Sequence, residues 1–243
     1  MKYGDKDKAI LNNDNPVLLL SYKTAVLLKQ KHYTQASKIA QQVDESNPTQ
    51  SIGKILKGDV ALAQKKYPDA LLNYQQAYAI TPNIKVLDAI LKILLQQNKH
   101  KQAVSLLETE LAKTKDNPAI QFRLAVAYQT TEQYDLATQY YEILLTQQKD
   151  NVIILNNLAH IYNLQHNPKA ISLAKQAYQL APKSGAIADT YGYLLLQQGN
   201  KKQGLKILKL ALGLNSTLVE IQLHLAEAHI ANKETELAKT QLQ

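Results

Sequence analysis

A small residue recurs along the chain at an almost constant step: Ala36, Ala70, Ala103, Ala137, Ala170, Gly204 and Ala238 are separated by 34, 33, 34, 33, 34 and 34 residues. Marks at so even a step define an internal repeat, which restricts the possible folds more than composition does. A second series keeps the same phase: Thr24, Gly58, Ala125, Ala159, Gly192 and Ala226 open the close-packed face of an earlier helix in most units. Small side chains at both marks suit two helices that cross closely inside each unit.

The segment Pro118 to Asn151 shows the pattern most clearly. Leu124, Ala125 and Tyr128 share one face of a first helix, and Ala137, Tyr141 and Leu144 share one face of a second. The polar turn Thr130-Thr131-Glu132-Gln133 separates them. Neither helix buries its apolar stripe alone, so each hairpin needs neighbours. Pro48, Pro82 and Pro182 follow helix ends and force the chain to turn. Asn167 before Pro168 reads as an N-cap followed by a first-turn proline. The units then run over about residues 17–50, 51–83, 84–117, 118–151, 152–184, 185–218 and 219–243, after a polar leader at 1–16. The last unit stops at Gln243, partway along its second helix and without a polar capping helix, which suggests either a frayed final helix or, as the favoured expectation, a chain cut from something longer. Glycine at position 204, where alanine is usual, marks the sixth unit as a soft spot, because glycine inside a helix costs about 1 kcal/mol.

These landmarks resemble the tetratricopeptide repeat family over residues 17–243. The second unit matches at Gly58, Ala70, Tyr74, Ala77 and Pro82. The fifth matches at Leu158, Ala159, Tyr162, Ala170, Ala177 and Pro182, despite a one-residue deletion in its turn. The chain departs from the family in lacking tryptophan and in its third unit, where Leu91 and Leu107 replace the small and aromatic residues. The resemblance implies an all-α fold, a right-handed α-α superhelix (solenoid) of about seven helix hairpins. Within it, Leu155-Asn156-Asn157-Leu158-Ala159, the shortened turn Asn167 to Ala170, and Asp189-Thr190-Tyr191-Gly192-Tyr193 are similar to the C-terminal repeats of tetratricopeptide lipoproteins associated with the PEP-CTERM/exosortase system. That likeness implies a bacterial accessory of exopolysaccharide production or protein sorting, whose lipoprotein signal and upstream repeats would lie outside this chain. The compartment is left open between cytoplasm and periplasm or envelope.

Charge and chemistry narrow the function by exclusion. The net charge of +8 raises nucleic acid as a partner, but Arg123 is the only arginine. Phosphate clamping and guanine reading favour arginine's planar fork over lysine, so nucleic acid is disfavoured. The absence of cysteine removes disulfides and thiolate chemistry. The charged start lacks the apolar core of an export signal. The most apolar run, Val17 to Leu28, is interrupted by Ser21 to Thr24 and too short to insert in a bilayer. No catalytic constellation, metal set or cofactor motif emerges. Gly199 and Gly204 lack the strand and closing Gly-Lys-Ser/Thr of a phosphate loop. His224 and Glu227 share a helix face, but two ligands do not make a zinc site. The histidines read as solvated or capping groups.

Function is therefore expected on surfaces, with a protein or peptide as partner. In the family resembled, the first helix of each unit lines a concave groove. Mapped here, the early groove is apolar, with Leu18, Leu28, Ile52, Ile55 and Leu62. Either a partner helix or preceding repeats would cover it. The middle carries Phe122, Arg123, Val126 and Gln129; the later part carries Asn156, Asn157, His160, Asn163, Asp189 and Tyr193. Side-chain amides both donate and accept, which suits the backbone of an extended peptide; wet polar residues on an open surface would look the same. Phe122 with Arg123 is the sharpest candidate, since aromatics and arginine dominate interface hot spots. The competing account packs Phe122 between units.

Overall fold

The computed structural model describes residues 16–241, and among them the chain is all-α, with no strand. The polar leader expected at 1–16 lies outside the described residues, apart from Pro16, which begins the first helix. The chain divides into two compact units, residues 1–103 and 104–243. In the first, α1 (Pro16–Lys29), α2 (Tyr33–Ser46), α3 (Ser51–Ala63), α4 (Tyr67–Ile80) and α5 (Ile84–Gln96) pack consecutively, and α1 also touches α3. Helix α6 (His100–Thr114) runs across the division. The second unit holds α7 (Pro118–Thr130), α8 (Tyr134–Gln147), α9 (Val152–Leu164), α10 (Ala170–Leu180), α11 (Gly185–Gln197), α12 (Lys201–Leu214), α13 (Val219–Ala231) and α14 (Thr235–Gln241). Again each packs on the next, and the first helices α9, α11 and α13 also lie side by side. Consecutive packing of short antiparallel helices is the architecture of an α-α solenoid.

The periodic small residues sit where helices cross. Ala36, Ala70, Ala103, Ala137, Ala170, Gly204 and Ala238 are all buried, as are Thr24, Gly58, Ala125, Ala159, Gly192 and Ala226. Thr24 satisfies its buried hydroxyl on the Leu20 carbonyl at 2.8 Å. Leu91 and Leu107, the irregular residues of the third unit, are buried too. At Gly58 an added Cβ would come within 2.7 Å of the Tyr74 ring. Gly204 is not the soft spot expected: a Cβ there would lie 3.0 Å from the Leu196 backbone nitrogen, so the position needs glycine for close approach.

Each hairpin turn closes by one main-chain device. The second residue after the first helix takes a left-handed conformation at Lys31, Lys65, Asn98, Glu132, His166, Gly199 and Lys233. The next N–H then reaches five residues back, as in His32 to the Leu27 carbonyl at 2.8 Å, Lys66 to Ala61 at 2.9 Å and Asn200 to Leu195 at 2.9 Å. This six-to-one bond is the Schellman closure, which satisfies carbonyls that a helix end leaves orphaned. Only glycine and asparagine adopt that conformation at low cost, so most of these turns carry backbone strain. Asn117 and Asn151 cap α7 and α9 by accepting from backbone N–H groups two and three residues on. Asn167 differs slightly from expectation. It accepts from the Lys169 N–H at 3.0 Å and caps a turn that leads into α10, which itself begins at Ala170.

Buried polar groups are tied across helices. Asp44, at the end of α2, receives Lys54 at 2.8 Å and Lys57 at 2.5 Å from α3. Burial alone would raise the Asp44 carboxyl, but the two ammonium groups outweigh it and hold it below the usual range. Tyr74 of α4 donates to Asp59 of α3 at 2.6 Å. In the second unit, Tyr128 donates to Glu108 at 2.7 Å, and Tyr162 makes the equivalent bond to Glu142 one repeat on. Burial and the neighbouring carboxylate push the Tyr162 hydroxyl up to about 12.

Candidate functional site

The candidate residues all lie in the second unit, on α7, α9 and α11. They gather around two centres. The first is Tyr141 of α8, which is fully buried. Phe122 meets its ring edge-on with centroids 6.1 Å apart. The Tyr141 hydroxyl donates to Gln129 Oε1 at 3.0 Å and accepts from Asn157 Nδ2 at 3.0 Å. Burial pushes that hydroxyl up to about 12, so it stays protonated and able to donate. Three residues expected to face a partner therefore also seat a core tyrosine. The Phe122 ring is half-buried against Tyr141 of its own hairpin, a contact within the unit and not between units.

Arg123 is half-buried and donates from its guanidinium to the Ala119 carbonyl of its own helix at 2.8 Å. With Phe122 it borders an open pocket of about 460 Å³ that also takes in Asn117, Leu144, Ile153 and Ile154. Val126 and Asn163 are half-buried on the same helix layer. Asn156 is half-buried, yet its Oδ1 is sealed from solvent with no hydrogen-bond partner among the described residues.

The second centre is His224 of α13, expected as a solvated or capping group. Its Nδ1 lies 2.9 Å from Asp189 Oδ2 and 3.0 Å from Oδ1, and its ring stacks on Tyr193 with centroids 4.0 Å apart. Asp189, expected on the open groove, is instead buried, and His224 is what makes that burial tolerable. His160 stands on α9 with its side chain reaching solvent. Loss of water along the wall, with the like charge of His224, holds its imidazole below the usual histidine range. Burial, then Glu227, raises the Tyr193 hydroxyl. His160, Tyr193 and Glu227 occupy one register of successive repeats, 33 and 34 residues apart. His224 falls 35 residues after Asp189, one residue out of that register, so the repeat spacing does not by itself mark the pair. The remaining close histidine, His229, is buried and meets Glu234 at 2.6 Å across the last hairpin turn.

Among the described residues no group of histidine, aspartate and glutamate is arranged to hold a metal ion. No helix among them is long and apolar enough to cross a membrane. In the first unit, the apolar patch expected at Leu18, Leu28, Ile52, Ile55 and Leu62 is divided. Leu28 and Ile52 pack against the core around Leu27, Val43 and Leu56, while Leu18 is exposed.

Comparison with known proteins agrees with this geometry. Residues 94–159 match the family model described as the tetratricopeptide repeat. The helical array as a whole resembles solved structures built from that repeat. The fold is the tetratricopeptide-repeat fold. It superposes with a TM-score of 0.69 on the APC/C hetero-tetramer Cut9-Hcn1, at 17% identity over 95% of this chain. The chain spans 45% of that structure's length. PilW, a type IV pilus biogenesis factor, gives a TM-score of 0.64 at 14% identity, covering 86% of this chain and 98% of PilW. YrrB, a tetratricopeptide-repeat protein with an unusual peptide-binding site, gives 0.55 at 15% identity, covering 75% of this chain and 95% of YrrB. No curated protein matches the sequence. At these identities the likeness is one of fold.

Proposed function

We propose that the chain is a non-enzymatic tetratricopeptide-repeat scaffold, with residues 17–243 as one array of seven units, that holds an extended protein segment along its first-helix layer. The observation that carries this reading is the polar wall on α9, α11 and α13. There His160, Tyr193 and Glu227 repeat in one register, and the half-buried Asn156 and Asn163 flank His160 on its own helix face. A peptide backbone offers N–H donors at a spacing such a wall can follow, and asparagine amides both donate and accept. The peptide-binding site in the name of YrrB supports the same reading by analogy of fold. Within it, the run from Leu155 to Ala211 favours a role beside bacterial exopolysaccharide production or PEP-CTERM protein sorting.

The test is capture of bacterial envelope proteins on the immobilised chain, compared with Asn156→Ala and Tyr193→Ala variants of unchanged helicity. A partner lost from both variants supports the scaffold. Partners held equally by all three chains would end the assignment to this face. A second reading, a structural subdomain of a larger envelope or secretion protein, is favoured by the exposed apolar residues Val219, Leu223, Ile230 and Leu237 on the last two helices.

A further inference from the structure

The net positive charge is not spread evenly. Residues 1–103 carry 15 lysines against 8 acidic residues, an excess of +7, while residues 104–243 carry 13 basic and 12 acidic residues, an excess of +1. In the first unit Lys54 and Lys57 share Asp44. Six other lysines occupy three hairpin turns or their borders: Lys29 and Lys31, Lys65 and Lys66, Lys99 and Lys101. All six are exposed, and none makes an ion pair among the described residues. The segments 29–33, 64–67 and 97–101 contain no carboxylate; the nearest along the chain is Asp69, in the first turn of α4. Each turn reverses the chain, and each linker between hairpins reverses it again. The turns α1–α2, α3–α4 and α5–α6 therefore emerge at the same edge of the unit. Nearly the whole excess charge sits on that edge.

The chemistry of the edge selects a partner. Its cations are all lysine, compact and flexible, with none of the planar forks that clamp individual phosphates or read bases. A diffuse anionic layer asks only for point charges that reach it together, which a row of turns at one edge supplies. Two of the three lysine turns are followed at once by a half-buried tyrosine, Tyr33 opening α2 and Tyr67 opening α4. Tyrosine is enriched at the headgroup level of bilayers, where its ring and hydroxyl meet different media. We infer that this lysine edge adsorbs the protein peripherally on an anionic phospholipid surface, separately from the peptide-holding face proposed for the second unit. The attraction is electrostatic and reversible, with no helix inserted.

The experiment is vesicle co-sedimentation of the full chain. Vesicles of phosphatidylcholine with phosphatidylserine are compared with phosphatidylcholine alone, at low and high salt. Binding to the anionic vesicles only, lost as salt shortens the Debye length, is the expected result. Replacing Lys65, Lys66, Lys99 and Lys101 by glutamine lowers the partition coefficient by at least about tenfold. Replacing the exposed Lys175, Lys183, Lys206 and Lys209 by glutamine, as a charge-matched control in the second unit, leaves it within about twofold. A second pair, Lys29→Gln with Lys31→Gln, repeats the test if the first variant unfolds. No binding at low salt, or equal loss in the control, overturns the assignment. Binding to duplex DNA by the same six lysines without vesicle binding also overturns it and transfers the edge to nucleic acid.

Discussion

A Cβ placed on Gly204 would lie 2.9 Å from the carbonyl oxygen of Gly192, so the two glycines mark a close backbone approach of α11 and α12. The obstacle is backbone, which cannot swing aside as a side chain can. Gly204→Ala is therefore expected to lower stability by about 1–3 kcal/mol despite alanine's better helix propensity. Gly213, on the same helix with nothing within 4 Å, is the matched control. Gly213→Ala should raise stability by about 0.4–1 kcal/mol. Urea titrations of both variants decide the matter: two changes of the same sign would mean that packing at Gly204 does not govern.

The left-handed turn residues give a prediction of opposite sense. Lys65 has φ 58°, a conformation that costs a residue with a Cβ about 1–2 kcal/mol. Lys65→Gly relieves that cost and should stabilise the protein by about 0.5–1 kcal/mol after the entropy of glycine is counted. Gly199→Ala, at φ 82°, should destabilise by a similar amount. Thermal melts of the pair should move in opposite directions.

Asp44 links stability to acidity. Its carboxyl titrates below 3.8 in the folded protein because Lys54 and Lys57 outweigh its burial, and near 3.8 when unfolded. The contribution is then fully present above the unfolded value and is lost as pH falls through the folded one. Asp44→Asn should cost about 1–3 kcal/mol at neutral pH. The gap to the parent should close below about pH 3 in denaturant titrations. A gap independent of pH would assign the loss to packing beside Gly53.

At the candidate site, stability and binding separate by residue. Phe122→Ala removes an edge-on contact with buried Tyr141 and should destabilise by about 1–3 kcal/mol. Tyr141→Phe keeps the ring but strips the hydroxyl from Gln129 and Asn157, costing about 1 kcal/mol. Calorimetry of both, alongside partner capture, distinguishes a hot spot from a packing residue. A Phe122→Ala protein as stable as its parent would remove Tyr141 packing as its role.

The repeat was legible because burial at helix crossings selects small side chains, and size is written in the residue itself. Ala137 and Ala159 could be placed from spacing alone. The need for glycine at 204 was not legible, because it depends on how near the Gly192 carbonyl comes. The hairpin turns escaped for another reason: Lys31, Glu132 and His166 carry no mark of left-handed backbone, since a main-chain bond imposes it. At the candidate site, register put Asp189, Tyr193 and His160 on one layer. The partners that define their chemistry, His224 and Tyr141, belong to other helices, and a face assigned helix by helix does not contain them.

The Schellman corner has a consequence for how such a protein can change. Because it closes on main-chain atoms and the residue at its apex is exposed in every hairpin, that side chain can be exchanged one hairpin at a time. Lysine stands there in the first two hairpins, asparagine in the third, then glutamate, histidine, glycine and lysine again. Within each unit the turn edge is thus free to drift in charge at little expense to the interior, a margin on which new associations can be tried while the helices stay as they are.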